Sequence, residues 1–146
     1  MKPLFILMMT VSSFFATTTN AADIVSAKAL KSFETTFATA TEAAWTVTEN
    51  YYKVEFLLNG QTLNAFYNEE GKLIGVSRNI SSLQLPILLQ TELKKGYPDY
   101  WITDLFEMST DNGVEYYVTI EDANTKTVLK SSIAAASWVL YKKLKK

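Results

Sequence analysis

Histidine and cysteine, the side chains that most often supply bases, nucleophiles and soft metal ligands, are absent from all 146 residues. Their absence removes Ser-His and Cys-His nucleophile pairs, an imidazole base and a His/Cys zinc site. It also removes a disulfide framework. Carboxylates, Ser/Lys pairs and tyrosines remain. The carboxylates closest in sequence are Glu69 with Glu70 and, more loosely, Asp99, Asp104 and Glu107. A catalytic carboxylate pair needs two environments that push its pKa values apart. Glu69 and Glu70 fall in the turn-forming stretch "NEEG", where both are solvated, and nothing sets the other three apart. The expectation is a protein that is not an enzyme, with no catalytic residues, no cofactor and no metal. A small hydrolase using these carboxylates is the alternative.

Side chains that act by binding have to be presented by a rigid element, and the stretch from Tyr51 to Arg78 provides one. Asn59-Gly60 is a strong signal for a two-residue hairpin, because a type I′ turn needs positive φ at both central residues. That loop fixes the register: Leu58 faces Gln61, Phe56 faces Leu63, Val54 faces Ala65 and Tyr52 faces Tyr67. Opposed residues share a face, so one side of the hairpin is apolar and the other carries Lys53, Glu55, Leu57, Asn64 and Phe66. A second hairpin around Glu49-Asn50 adds Trp45 and Val47 to the apolar side. The turn at Asn68–Gly71 leads to a fourth strand from Leu73.

The apolar side needs a cover. Val25, Ala29, Phe33 and Phe37 recur every fourth residue, which is a helical stripe. The reading for these rings is core packing. A second helix lies in "LPILLQTELKKGYPD", with Leu85, Leu89 and Leu93 as its stripe and Lys94 and Lys95 favourably placed in its last turn. The stripe repeats the first one 60 residues later, and Tyr116, Val118 and Ile120 repeat Tyr52, Val54 and Phe56 after 64. The expected fold class is therefore α+β: a helix plus a four-stranded antiparallel meander, duplicated in tandem, with the helices packed on one face of the sheet. The two repeats span about 22–80 and 81–146 of a single domain.

The first residues are set apart. Lys2, the apolar run Leu4–Ala16 and the small residues Thr19 and Ala21 read as a secretory signal cleaved after Ala21. The apolar run is shorter than the roughly 20 residues of a spanning helix. The expected location is periplasmic or secreted, with no stable membrane anchor. Without Lys2 the chain has 13 basic and 15 acidic residues, a net charge of −2, so nucleic acid is not an expected partner. The C-terminal "YKKLKK" could touch anionic lipid or polysaccharide, as an envelope or ligand-carrier protein would, but it reads more simply as a solvated tail.

Leu85-Pro86, Tyr97-Pro98-Asp99, Trp45, Asn59-Gly60 and Glu70-Gly71-Lys72-Leu73 together make the chain resemble the PepSY-like proteins. These are small exported bacterial proteins related in fold to the beta-lactamase inhibitory protein. The likeness spans nearly all of the chain after Ala21. It departs at Phe37-Ala38-Thr39, which lacks a corner proline, and at the glycine-free last turn. What the resemblance implies is a periplasmic or secreted module without a cofactor that binds or inhibits another protein. The expected interface is the sheet face turned away from the helices, with Tyr51, Lys53, Glu55, Asn64 and Phe66 from the first half and Glu115, Tyr117 and Thr119 from the second. Aromatic rings among charges suit such a surface.

The signal reading carries its own test. Intact-mass measurement of the exported protein is expected to place the N-terminus at Ala22, and an N-terminus at Met1 overturns it.

Overall fold

The computed structural model describes residues 24–146; the signal-like segment up to Ala21 lies outside them. Ten elements and one short 3₁₀ turn follow one another. Helix α1 (Ala27–Thr36) precedes strands β1 (Thr41–Val47), β2 (Tyr52–Leu58), β3 (Gln61–Tyr67) and β4 (Leu73–Asn79). The 3₁₀ turn Ser82–Gln84 leads into helix α2 (Ile87–Gly96), and β5 (Trp101–Thr110), β6 (Gly113–Glu121), β7 (Lys126–Ser132) and β8 (Val139–Leu144) complete the chain.

Local chemistry sets most of the boundaries. Ser26 caps α1 by accepting a hydrogen bond from the Ala29 amide at 3.3 Å, which satisfies one of the helix's free N–H groups. Asn59 and Gly60 take φ of 51° and 77°, as a type I′ turn requires. The β2–β3 register runs from Tyr52 opposite Tyr67 to Leu58 opposite Gln61, in agreement with the turn-based reading. The β1–β2 pairing likewise sets Val47 opposite Tyr52 and Trp45 opposite Val54. Between β6 and β7 the Asp122 carboxylate accepts from the amides of Asn124 at 2.8 Å and Thr125 at 2.6 Å and from the Thr125 hydroxyl. These bonds favour its charged form and hold its pKa down at about 2.

The expected fold class has to be corrected. The chain does not form a four-stranded meander with its helix twice over. Its described residues form a single eight-stranded antiparallel sheet, ordered β1 to β8, with two short helices. The physical reason is that β4 does not end a unit. Val76, Ser77, Arg78 and Asn79 pair with Ser109, Met108, Glu107 and Phe106 of β5, so the hydrogen-bond ladder runs through the middle of the chain without an edge. Arg78 and Glu107 reinforce that pairing with two bonds, of 3.1 and 3.3 Å.

The expected solvated tail is also corrected. Val139–Leu144 is the last strand, paired with β7. Beyond it Lys146 binds Glu121 at 3.3 Å, lies 5.3 Å from the centre of the Trp101 ring and donates to the Asp122 carbonyl. Both open edges carry devices that discourage further pairing. Edge strand β1 is bulged between Thr41 and Ala44, with Glu42 at positive φ, and β8 carries Lys142 and Lys143.

Three apolar clusters fill the structure. Val25, Ala29 and Phe33 pack on Val54, Phe56, Ala65 and Tyr67, with Trp45 and Phe37 closing around them. The Phe33 ring meets those of Phe56 and Trp45 edge-on at 5.1 and 5.5 Å. Leu85, Leu89 and Leu93 pack on Leu105, Tyr116, Val118, Ile120 and Leu129, and the Trp138 indole donates to the Leu89 carbonyl at 3.0 Å. By register, the strand residues of these two clusters share one side of the sheet. The third cluster lies on the other side, where the interface was expected. Within the first cluster the Tyr67 hydroxyl is buried, and burial raises its pKa to about 12. Ser32 approaches it closely enough to offset part of that shift, but no well-formed hydrogen bond closes between them, and the hydroxyl is left unsatisfied.

The β3–β4 turn is held against α1. Gly71 has φ of 82°, and a Cβ there would stand 2.6 Å from the Lys28 carbonyl carbon and 2.8 Å from the Ala29 nitrogen. Gly60 has positive φ as well, but open space around it. In urea unfolding, Gly60→Ala is expected to cost about 1–2 kcal/mol for the left-handed backbone alone. Gly71→Ala is expected to cost clearly more, because the helix must move. Equal losses would mean that the turn does not bear on α1.

Candidate functional site

One cross-strand row runs along the outward face. Ala44, Glu55, Asn64, Ser77, Met108, Glu115 and Ser132 are paired in succession from β1 to β7. The row places Glu55, Asn64 and Glu115, which come from the two halves of the chain, on one surface. Beside it, Lys53 is paired with Phe66 and Phe66 with Gly75. On its other side, Phe106 is paired with Tyr117 and Tyr117 with Lys130. Thr119 lies one step further along β6, opposite Val128. Tyr51 stands just before β2, where its carbonyl accepts from the Thr48 amide and hydroxyl.

Parity was therefore readable, but exposure was not. Glu55 is exposed and Tyr51, Lys53, Asn64 and Glu115 are half-buried, whereas Phe66 (1% exposed), Tyr117 (6%) and Thr119 (8%) are buried. Phe66 and Tyr117 join Phe106 and Met108 in the third cluster, and Tyr51, Ile74, Val128 and Tyr141 pack around it. Gly75 makes room for this floor. A Cβ there would meet the Met108 sulfur at 3.1 Å, so Met108 lies over the glycine that faces Phe66. The Phe106 and Tyr117 rings stack at 5.0 Å with 8° between their planes, and Tyr141 meets Tyr117 edge-on at 5.2 Å. Phe106, Met108, Val128 and Tyr141 were missed because their strands were not paired from the sequence. The alternation of Phe106 and Met108 on β5 was the available signal.

Charge surrounds the floor. The Tyr117 hydroxyl donates to Glu115 at 3.0 Å, Lys130 binds the same carboxylate at 2.8 Å, and the Lys130 ammonium lies 5.6 Å from the centre of the Tyr117 ring. Burial first, and then the negative Glu115, push the Tyr117 phenol well above the ordinary tyrosine value. At the β2–β3 end of the face the Asn64 Oδ1 is buried without a hydrogen-bond donor, an arrangement that costs about 1–3 kcal/mol.

The carboxylates considered for hydrolysis do not converge. Glu69 and Glu70 are exposed in the β3–β4 turn, Asp99 is exposed after α2, and Glu107 is engaged by Arg78. Asp104 is exposed by area; desolvation by the groups around it raises its pKa, with the Leu105 amide and then Lys126 acting against it. Among the described residues no cluster of three or more acidic side chains is placed to hold a metal ion. No helix among them is long and apolar enough to cross a membrane.

No protein-family model matches this sequence, and no curated protein does. Solved structures match in fold. A BLIP-like protein from Bacteroides fragilis superposes with a TM-score of 0.67 at 16% identity, over 82% of this chain and 84% of that one. A DUF2874 family protein from Bacteroides ovatus gives 0.70 at 18% identity, over 81% and 85%. A candidate periplasmic protein from Bacteroides eggerthii gives 0.73 at 10% identity, over 82% and 88%. The fold is BLIP-like.

The buried floor changes what aromatic substitutions do. Phe66→Ser and Tyr117→Ser are each expected to lower unfolding stability by about 3 kcal/mol, as truncation of a buried ring does, and Tyr51→Ser by about 1 kcal/mol, the scale of one aromatic contact. The raised Tyr117 phenol has a pH signature. The native state holds this proton more tightly than the unfolded chain, so the associated stability is complete below about pH 10. It is lost as pH rises from there through the native value. Urea midpoints compared at pH 8 and pH 11 should fall less for Tyr117→Phe than for the unaltered protein.

Proposed function

We propose that this chain is an exported, periplasmic binding module of PepSY-like type that takes another protein on its outward sheet face and catalyses no reaction. The observation that carries the reading is the preformed aromatic floor of Phe66, Phe106, Met108 and Tyr117, bordered by Lys53, Glu115 and Lys130. No described helix packs on it. Such a floor is already largely desolvated in the free protein. The groups left to meet a partner include the half-buried side chains of Tyr51, Ile74, Val128 and Tyr141 and the charged border, which favours orientation and specificity. The BLIP-like fold and the periplasmic description of one structural neighbour support the reading.

The test has to spare the floor. Tyr51→Ser, Lys53→Glu and Lys130→Glu together change the border and leave the buried rings in place. Capture of the partner from periplasmic extract of the native cells is expected to fall at least tenfold with this variant. It should persist with Leu83→Ser, Ile87→Ser and Leu88→Ser, which alter the exposed apolar residues of the 3₁₀ turn and of the start of α2. The opposite pattern would move the interface to the helical side.

A further inference from the structure

An open notch of about 340 Å³ lies at one end of the sheet, where the β2–β3 hairpin, the end of β4 and the 3₁₀ turn meet. Its walls include Glu55, Asn64, Thr62, Arg78 and Gln84, and every side chain that lines it is polar. Two features make it chemically one-sided. Asn64 contributes the buried Oδ1 without a donor, and Glu55, its direct cross-strand partner, takes part in none of the ion pairs among the described residues. The notch's cation, Arg78, is already bound to Glu107 through both of its bonds. The Gln84 side-chain oxygen is likewise occupied by the Ser81 amide at 2.8 Å. What is left is an exposed carboxylate beside a buried amide oxygen that lacks a donor, both acceptors.

We propose that this notch receives a guanidinium group, an arginine side chain of the bound protein, with Glu55 and Asn64 as its acceptors. Cross-strand partners stand about 5 Å apart at Cβ. A planar fork of N–H donors can span that separation and serve both oxygens, whereas the compact ammonium of lysine is less suited to two acceptors at once. The proposal rests on the outward face being the binding face, because Glu55 and Asn64 belong to it. It adds the chemistry of one contact at that face's β2–β3 end.

The experiment needs no partner. The ¹⁵N-labelled protein is titrated with N-acetyl-arginine methylamide at low salt, and the backbone amides around Glu55, Thr62 and Asn64 and the Asn64 side-chain amide are followed. Millimolar arginine amide is expected to shift this group selectively. The isosteric, neutral citrulline amide should shift it at least fivefold less at equal concentration. Glu55→Gln should weaken arginine binding at least fivefold, and Asn64→Asp, which replaces the amide by a second carboxylate, should strengthen it. Equal shifts with citrulline, shifts scattered over the whole surface, or indifference to Glu55→Gln would overturn the proposal. Such a failure leaves the capture result at the Tyr51, Lys53 and Lys130 border untouched, and a failed capture leaves a positive titration standing, so the two readings fall separately.

Discussion

The pairing of Val76–Asn79 with Phe106–Ser109 is the joint on which the rest of the molecule depends. Without it, β4 and β5 would each be an unpaired edge, and the two halves of the chain would meet only through the segment that carries α2. With it, a single ladder runs from β1 to β8. The joint also decides what lies opposite what on the outward face. Ser77 meets Met108, Met108 lies over Gly75, and Gly75 faces Phe66. The arginine–glutamate pair beside this contact, on the opposite side of the strands, fixes the same register, since Arg78 can reach Glu107 with two bonds only if the strands are aligned as they are. A slip of one residue would exchange the two faces.

That same pleat explains how one sheet meets two different demands. On the side toward the helices, cover is supplied by α1 and α2, and the strand residues beneath them are fully buried aliphatic and aromatic groups. On the outward side no described helix supplies cover, yet Phe66 is nearly inaccessible. The cover comes from neighbours on the same face: the ring of Tyr51, the thioether of Met108 over a glycine, and the stacked pair Phe106–Tyr117 with Tyr141 against it. Buried area of this kind stabilises the free protein, so those rings have little surface left to lose on binding.

What could be read from the sequence divides along the same lines. Hairpins closed by two residues were legible, because Asn59-Gly60 and Glu49-Asn50 fix register locally, and the observed pairings agree residue for residue. The β4–β5 pairing was not. Its strands are separated by Ile80–Tyr100, and no turn residue announces a contact made across a helix. The last strand escaped for a related reason. The lysines of "YKKLKK" look like a solvated tail, but on an edge strand they guard the free ladder, and Lys146 finds Glu121 and Trp101 only once β6 is in place. At the candidate site, the side of the sheet follows from alternation alone, whereas burial depends on which same-face neighbours the distant pairings bring.

The border of the outward face shows where this leaves recognition. Glu115 is claimed by both Lys130 and Tyr117, so its charge is largely answered within the molecule, and a partner's cation approaching there competes with an existing ammonium. Partly exposed pairs of this kind contribute little to stability, but they set the local sign of the surface. At the other end of the same cross-strand row, Glu55 has no such answer among the described residues, and Asn64 beside it buries an oxygen that no described donor reaches. A fold assembled for stability alone would have no reason to leave an acceptor in that condition at about 1–3 kcal/mol, since an apolar residue of similar size opposite Ser77 would avoid the cost. The asymmetry along one row, neutralised at Glu115 and open at Glu55, gives an otherwise flat sheet a direction in which a partner can be oriented.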